Sequence, residues 1–239
     1  MTRHVRRLKN KIFALAAAVV IVVTTISPLG ASTEQTPDKV EPVYSHNNDS
    51  MRIALTFDDG PHYKYTAEIL DILAEYDVKA TFFVVGMLAE RYPELILREL
   101  AEGHEIGNHT WSHPKLGNIS ESTLSNELLK TERVLNEIAD YRPKLFRPPE
   151  GNTSKIVESV AEKNDYSIVI WSVDTLDWAH TPTDKIVKTV LDKTKSGSII
   201  LCHDFIGSNS PTPDALRIFI PELLQKGYKF VTVSELIAN

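Results

Sequence analysis

The chain of 239 residues has one cysteine, little glycine and no excess of proline. Its single thiol, Cys202, excludes an internal disulfide framework and a zinc site made of several thiolates. Ten glycines and thirteen prolines are too few for a fibrous or low-complexity protein. With 42% hydrophobic and 24% charged residues, the composition is that of a globular protein with one large domain or two small ones.

Positive charge is also scarce over most of the chain. Five of the 26 basic residues lie within residues 1–31, which contain no acidic residue. The remaining chain therefore has 21 basic against 32 acidic residues, a balance of −11. Because phosphate binding depends mainly on Lys and Arg, nucleic acid is not expected as a partner.

The first 31 residues resemble an export signal. A basic stretch, residues 3–11, precedes an uncharged apolar run of about fifteen residues and then Ser27, Pro28 and Gly30. The run is short for a membrane span, which takes roughly twenty residues. Cleavage after Ala31 is expected, but Leu29 stands where a small residue is preferred, so an uncleaved membrane anchor is the alternative. Either form places the body outside the cytoplasm, secreted or at the cell surface, with membrane contact only through this segment.

Residues 32–50 are polar, show no apolar period and are predicted to be a flexible linker. From residue 51 onward, strand-like and helix-like patterns alternate in about seven units. Strands are predicted at residues 52–57, 80–85, 104–108, 145–147, 167–171, 198–201 and 229–233, and helices at 66–76, 93–102, from 120 to about 138, 153–163, 183–194 with Thr183 as cap, and 214–226. Such alternation predicts parallel strands covered by helices, either as a small irregular barrel or as an open doubly wound sheet. Both folds gather their chemistry at the carboxyl ends of the strands.

Ionisable residues follow five of the predicted strands. The segments are 56–61 with Asp58 and Asp59, 109–113 with His109 and His113, 147–151 with Arg147 and Glu150, 174–178 with Asp174 and Asp177, and 203–204 with His203. A solvated loop or turn would explain any one of them, and 58–61 on its own favours a turn. A loop or turn does not explain why ionisable residues follow all five strands.

Three of these segments suggest particular chemistry. His109 and His113, on one turn of helix or in a tight loop, could join one carboxylate in a ligand set with open positions, as in catalytic zinc or non-haem iron sites. Arg147, unless it is only a surface cation, could hold a carboxylate by a two-pronged contact. Cys202 beside His203 suggests a thiol nucleophile, but adjacent strand residues point to opposite faces, so Cys202 is predicted to be a packed core residue.

Taken in order, these segments resemble the five motifs of the polysaccharide deacetylase family. The motifs are 56–60 (TFDDG), 109–113 (HxxxH), 147–151 (RPPxG), 174–178 (DxxDW) and 201–203 (LxH), and the resemblance covers about residues 51–239. It implies a single catalytic domain, an α/β fold with a distorted (β/α) barrel of about seven parallel strands. It also implies removal of acetyl groups from an N-acetylated glycan with one divalent metal ion, zinc with cobalt or nickel as alternatives.

The resemblance also assigns roles by position. Asp59, His109 and His113 would bind the metal, Asp58 would be the general base and His203 the general acid. Arg147 would brace a catalytic carboxylate, and Asp174, in preference to Asp177, would tune His203. The substrate-binding residues would be Pro149, Glu150, Trp178 and Leu201, the last two lining the acetyl pocket.

One position departs from the family pattern. Glu150 stands where an aromatic residue is usual; its backbone N–H can still help to stabilise an oxyanion, but its side chain changes the groove. For an exported enzyme the expected substrate is N-acetylglucosamine of peptidoglycan, followed by chitooligosaccharide and N-acetylmuramic acid. The other hypotheses are a glycosidase that uses Asp58 and Asp174, and a non-catalytic glycan-binding protein on the same scaffold.

Overall fold

The computed structural model describes residues 41–46, 50–207 and 209–238. The predicted export segment, its cleavage position and most of the predicted linker lie outside these residues. Within the described part, no helix combines the length and the apolar character needed to cross a membrane.

All the named strands pair in parallel in one sheet. The strands are β1 (Arg52–Asp58), β2 (Thr81–Val84), β3 (Glu105–Asn108), β4 (Leu145–Phe146), β5 (Ser167–Ile168), β6 (Val173–Asp174), β7 (Ile199–His203) and β8 (Lys229–Val231). Seven of them follow the path β5-β4-β3-β2-β1-β7-β6 and curl into a half-barrel, which confirms the expected fold class. The eighth, β8, pairs with the first residues of β1, while β2 pairs with the last ones.

Helices occupy most of the connections between the strands, and one more, α8, follows the last strand. They are α1 (Tyr65–Glu75), α2 (Gly86–Arg91), α3 (Pro93–Ala101), α4 (Glu121–Ala139), α5 (Lys155–Lys163), α6 (Thr183–Lys193), α7 (Thr212–Gln225) and α8 (Val233–Ile237). Ser120 and Ser154 cap α4 and α5 by accepting a hydrogen bond from the backbone three residues later. Thr183, the predicted cap of α6, is instead its first residue, because Pro182 precedes the helix as N-cap.

Strand β1 shows how the alternation of side chains separates the core from the site. Ile53, Leu55 and Phe57 belong to the larger apolar cluster, which the helices also line. Ala54 lies in the separate cluster with Phe83 of β2, and Asp58 shares its face of β1 because side chains alternate. The inner face of β1 therefore ends in a carboxylate.

Cys202 is fully buried in the larger apolar cluster, which confirms its prediction as a core residue. Burial raises the pKa of its thiol well above the ordinary value. A thiol that holds its proton so firmly is a poor nucleophile.

Residues 41–46 were predicted to belong to a flexible linker, but the structure shows them paired with the sheet. Val43 forms a parallel bridge with Val169, and Ser45 forms an antiparallel bridge with Ser198. The Val43 backbone donates to Ile168 and accepts from Ile170, so this short segment is joined to the sheet. Because only isolated residues of this segment pair with the sheet, its sequence has no periodic pattern that would predict a strand.

Several short elements were also missed or misplaced. The six-residue α2 and the two-residue β6 were not predicted, and β5 ends at Ile168 rather than at Trp171. The last predicted strand stops at Val231 because Thr232 opens α8 with a capping box completed by Glu235.

Candidate active site

The carboxyl ends of the strands surround a cavity of about 420 Å³. Asp58 and His203 are paired neighbours at the ends of β1 and β7, so both are delivered to its mouth. The lining residues are Asp58, Asp59, His109, His113, Glu150, Trp171, Asp174, Trp178, Leu201 and His203. Nine of these were predicted site residues. Pro149, predicted to bind substrate, is buried in the turn Pro149–Gly151 and is not among the lining residues.

Asp59, His109 and His113 bring one ligand atom each within 4.8 Å of one another. Asp59 Oδ1 lies 3.4 Å from His109 Nε2 and 3.3 Å from His113 Nε2. This oxygen is buried and accepts no hydrogen bond of good geometry. Burial alone would raise the pKa of Asp59, but the neighbouring imidazoles of His109, His203 and His113 lower it. A buried, unpartnered carboxylate oxygen between two imidazole nitrogens has the chemistry of a site for a divalent cation.

The tautomer of His109 suits a metal ligand. Its Nδ1 lies 2.6 Å from the backbone oxygen of Arg147, which can only accept, so Nδ1 carries the hydrogen. The lone pair of Nε2 is then directed toward Asp59. Fixing one imidazole nitrogen in this way orients the other for coordination. The sequence prediction did not include this backbone contact.

The segment that carries both histidines is a loop rather than a helical turn. Thr110 and His113 have positive φ values of 69° and 53°. The Thr110 backbone donates to Asn108 Oδ1, and the Thr110 hydroxyl accepts from the His113 backbone. Asn108 in turn donates to the Tyr166 hydroxyl and to the Leu128 carbonyl of α4. The loop is therefore held by hydrogen bonds on its buried side.

Asp58 is paired with a fully buried guanidinium. Arg147 Nη1 donates to Asp58 Oδ1 at 2.7 Å and to Thr56 Oγ1 at 2.8 Å. Its Nε and Nη2 donate to the carbonyls of Val169 and Ile170. Asp58 Oδ2 lies 3.8 Å from His109 Nε2, on the side of the metal-ligand set. One carboxylate oxygen is thus held while the other faces the cavity.

His203 is paired with Asp177 rather than with Asp174, which corrects the prediction. Asp177 is fully buried and accepts from His203 Nδ1 at 2.7 Å and from the His203 backbone at 2.8 Å. The Thr212 hydroxyl also donates to it at 2.6 Å. Burial opposes the charged imidazole, but the hydrogen bond and charge of Asp177, with Asp58 and Asp59, raise the pKa of His203 to about 9.

Asp174 has a different place in the structure. Its Oδ1 accepts from the Leu176 backbone at 2.8 Å, where the chain leaves β6 through a left-handed residue with φ 58°. After this turn, Asp177 is buried and lies in contact with His203 Nδ1. Asp174 stays half-buried in the cavity wall.

Aromatic and apolar side chains complete the wall. Trp178 is 54% exposed, Leu201 is buried, and Glu150 is exposed with a positive φ of 57°. Trp171 was missed, although its place at the end of a predicted strand was a signal for it. Its ring lies so close to Gly151 that an added Cβ there would be 2.8 Å away, which explains the glycine.

The parallel half-barrel with Asp59, His109 and His113 at its mouth is an α/β scaffold with a candidate cation site. The family model for polysaccharide deacetylase matches residues 45–169, so this chain belongs to the polysaccharide deacetylase family and is an enzyme of that class.

Relatives cover most of the chain. It is 43% identical to a peptidoglycan-N-acetylglucosamine deacetylase of Bacillus cereus over 82% of this chain and 72% of the relative. Among solved structures, the Bc1960 peptidoglycan N-acetylglucosamine deacetylase in complex with 4-naphthalen-1-yl-N-oxidanyl-benzamide has a TM-score of 0.78 at 42% identity, covering 81% of this chain and 91% of that one. A family 4 acetyl xylan esterase from Clostridium thermocellum in complex with a cobalt ion has a TM-score of 0.72 at 39% identity, covering 77% and 89%.

Proposed function

We propose that the protein removes acetyl groups from N-acetylglucosamine residues of peptidoglycan outside the cytoplasm, using one divalent cation. The observation that carries the proposal is that three groups of side chains lie together at the mouth of the cavity. The Asp59, His109 and His113 set lies beside Asp58 with its arginine and His203 with its aspartate. The names of the relatives support peptidoglycan as the glycan.

Asp59, His109 and His113 would hold the cation. Two imidazoles and one carboxylate suit zinc, cobalt or nickel, and the relative solved with cobalt supports this choice. When bound, such a cation supplies Lewis acidity: it polarises a carbonyl and lowers the pKa of a ligated water to about 7.

Asp58 is the general base in this proposal. Arg147 fixes Asp58 Oδ1, so the carboxylate cannot rotate away, while Oδ2 stays on the cavity side. Its position next to the ligand set lets it take a proton from the attacking water. Adjacent aspartates thus take two roles because their partners differ: imidazoles surround Asp59, and a guanidinium holds Asp58.

His203 is the general acid. Because its pKa is raised to about 9, the imidazole is protonated at neutral pH. Its Nδ1 donates to Asp177, which leaves Nε2–H to protonate the amine as the amide bond breaks. Asp177 acts as a positioning residue through His203.

The remaining wall would receive the acetamido group. Leu201 and Trp178 supply the apolar surface for the acetyl methyl, and the Glu150 backbone N–H would help to stabilise the oxyanion. The Glu150 side chain, in contrast, puts a carboxylate in the cavity wall where the family usually has an aromatic ring. We therefore expect the glycan preference of this enzyme to differ from that of relatives with the aromatic residue.

Acetate release from a panel of N-acetylated glycans tests the proposal. The panel contains peptidoglycan, chitooligosaccharides and glycans with N-acetylmuramic acid, each incubated with enzyme alone, with a chelator, and with zinc, cobalt or nickel added back. We expect acetate from peptidoglycan with the chain length unchanged, loss with chelator and recovery with metal. Shortened chains without acetate would indicate a glycosidase, and binding without any product would indicate a non-catalytic protein; either would contradict the proposal.

A further inference from the structure

Three rings that follow the carboxyl ends of β1 and β7 form an aromatic surface, here called the aromatic platform: the half-buried His62 and the exposed Tyr63 and Phe205. The His62 and Phe205 rings are stacked, with centroids 5.1 Å apart and planes 15° from parallel. Tyr63 tilts against His62 with centroids 4.6 Å apart. Tyr63 is 64% exposed and Phe205 is 36% exposed. Contiguous exposed apolar surface of this kind is typical of a binding site, whereas scattered apolar residues are not.

The platform is rigid on its protein side. The His62 ring packs against Tyr65 as well, with centroids 5.1 Å apart, and Tyr65 is buried at the start of α1. The His62 backbone donates to Thr66 Oγ1 at 2.7 Å. Its Nδ1 accepts from the backbones of Tyr65 and Lys64 at 3.3 and 3.4 Å, which fixes the ring hydrogen on Nε2. Rings that are already ordered lose little freedom when a ligand covers them.

The topology places the platform next to the reacting groups. Asp58 and His203 pair across β1 and β7, so the chain segments that follow them leave the sheet side by side. His62 comes three residues after Asp59, and at about 3.6 Å per residue its Cα lies within about 11 Å of that of Asp59. None of the three rings lines the cavity itself. The platform therefore follows the strand ends that deliver Asp58 and His203, but it lies outside the cavity lining.

Its chemistry suits a sugar ring. A pyranose presents C–H groups on its faces and hydroxyls on its edges, and aromatic faces pack against such C–H groups. Phe205 offers only an apolar face, while the Tyr63 hydroxyl and His62 Nε2–H offer hydrogen bonds. Burial, with the charges of Lys64 and Arg91, lowers the pKa of His62, which favours the neutral ring. Neutral rings match a neutral N-acetylated sugar.

We propose that the aromatic platform binds a second sugar of the same glycan chain, outside the cavity, and so favours polymeric over short substrates. This inference rests on the proposed function, because it takes an N-acetylated glycan as the substrate. A glycan that is longer than the cavity must extend beyond it, and the platform offers an apolar surface outside the cavity lining.

The test compares long and short substrates on the metal-loaded full chain. The probes are the pentamer and the dimer of β-1,4-linked N-acetylglucosamine, and the readout is the ratio of kcat/KM for pentamer over dimer. We expect Phe205→Ala and Tyr63→Ala each to lower this ratio by about three- to tenfold, because one aromatic contact is lost. Phe205→Tyr keeps the ring and should keep the ratio.

Tyr44→Ala is the matched control, since Tyr44 is 50% exposed but adjoins Ser45, which pairs at the opposite end of β7. Its ratio should equal that of the wild type. An unchanged ratio in both Phe205→Ala and Tyr63→Ala, with acetate still released, would overturn the platform but not the proposed function.

Failure of the proposed function would show as no acetate from peptidoglycan or from either oligomer with the metal-loaded wild type. Pentamer binding followed by NMR titration, which needs no turnover, still tests the platform in that case. Weaker binding in Tyr63→Ala, whose ring is mostly in solvent, supports the platform. Equal binding in that variant and in the wild type overturns it.

Discussion

His109 and His203 are both buried imidazoles at the same mouth, yet they differ in the group behind Nδ1. His109 meets a backbone carbonyl, that of Arg147, whereas His203 meets the carboxylate of Asp177. Burial lowers and nearby carboxylates raise the pKa of each ring. For His109 those carboxylates are Asp58 and Asp59 on the cavity side, where a cation would compete for them. For His203 the first is Asp177, on the far side from the cavity.

This difference separates a ligand from an acid. A carbonyl behind an imidazole fixes the tautomer without adding a charge, so the ring can give its lone pair to a cation. A buried carboxylate stabilises the imidazolium, so the ring keeps its proton. The same side chain thus takes two roles, decided by its partner.

The largest expected effect on turnover is that of Asp58→Asn. The amide keeps the shape of the side chain but cannot take a proton, so kcat should fall by about 10²- to 10⁴-fold. Bound metal, measured by elemental analysis, should stay at the wild-type level because Asp58 is not in the ligand set. Loss of metal along with activity would contradict its role as base.

Asp177→Asn should have the next largest effect. Without the carboxylate, burial dominates and the pKa of His203 falls from about 9. The protonated acid exists below its pKa and is lost as pH rises through it, so the alkaline limb of kcat/KM should move to lower pH. We expect a loss of roughly 100-fold at pH 8.

The measurement for Asp177→Asn is a pH profile of acetate release beside the wild type at equal metal load, because a bound cation also acts on His203. A profile that loses activity uniformly, with its alkaline limb unmoved, would contradict the assignment of Asp177.

Asp174→Asn should have the smallest effect of the three. Its carboxylate accepts a hydrogen bond from the Leu176 backbone, and an amide oxygen can do the same. We expect less than about a fivefold change in kcat/KM and no shift of the alkaline limb. A shift as large as that of Asp177→Asn would restore Asp174 as the partner of His203.

The resemblance to the family predicted the set of Asp59, His109 and His113, and the structure brings their ligand atoms within 4.8 Å of one another. The opposite directions of Cys202 and His203 follow from strand alternation alone. Parallel strands and the resemblance to the family predicted the barrel.

The choice between Asp174 and Asp177 could not be made from the sequence. Both follow the same strand three residues apart, and the outcome depends on a left-handed turn at Leu176 that buries the second carboxylate. The same holds for the bridge of Val43 to Val169, where one long-range pair, and no local pattern, decides the structure.

Metal stoichiometry tests the central claim most directly. Wild type, Asp58→Asn and His113→Ala are stripped with chelator, loaded with zinc and dialysed, and bound metal per chain is measured. The account predicts about one ion in the wild type and in Asp58→Asn, and much less in His113→Ala. Equal metal in His113→Ala and the wild type, or loss in Asp58→Asn alone, would contradict a cation held by Asp59, His109 and His113.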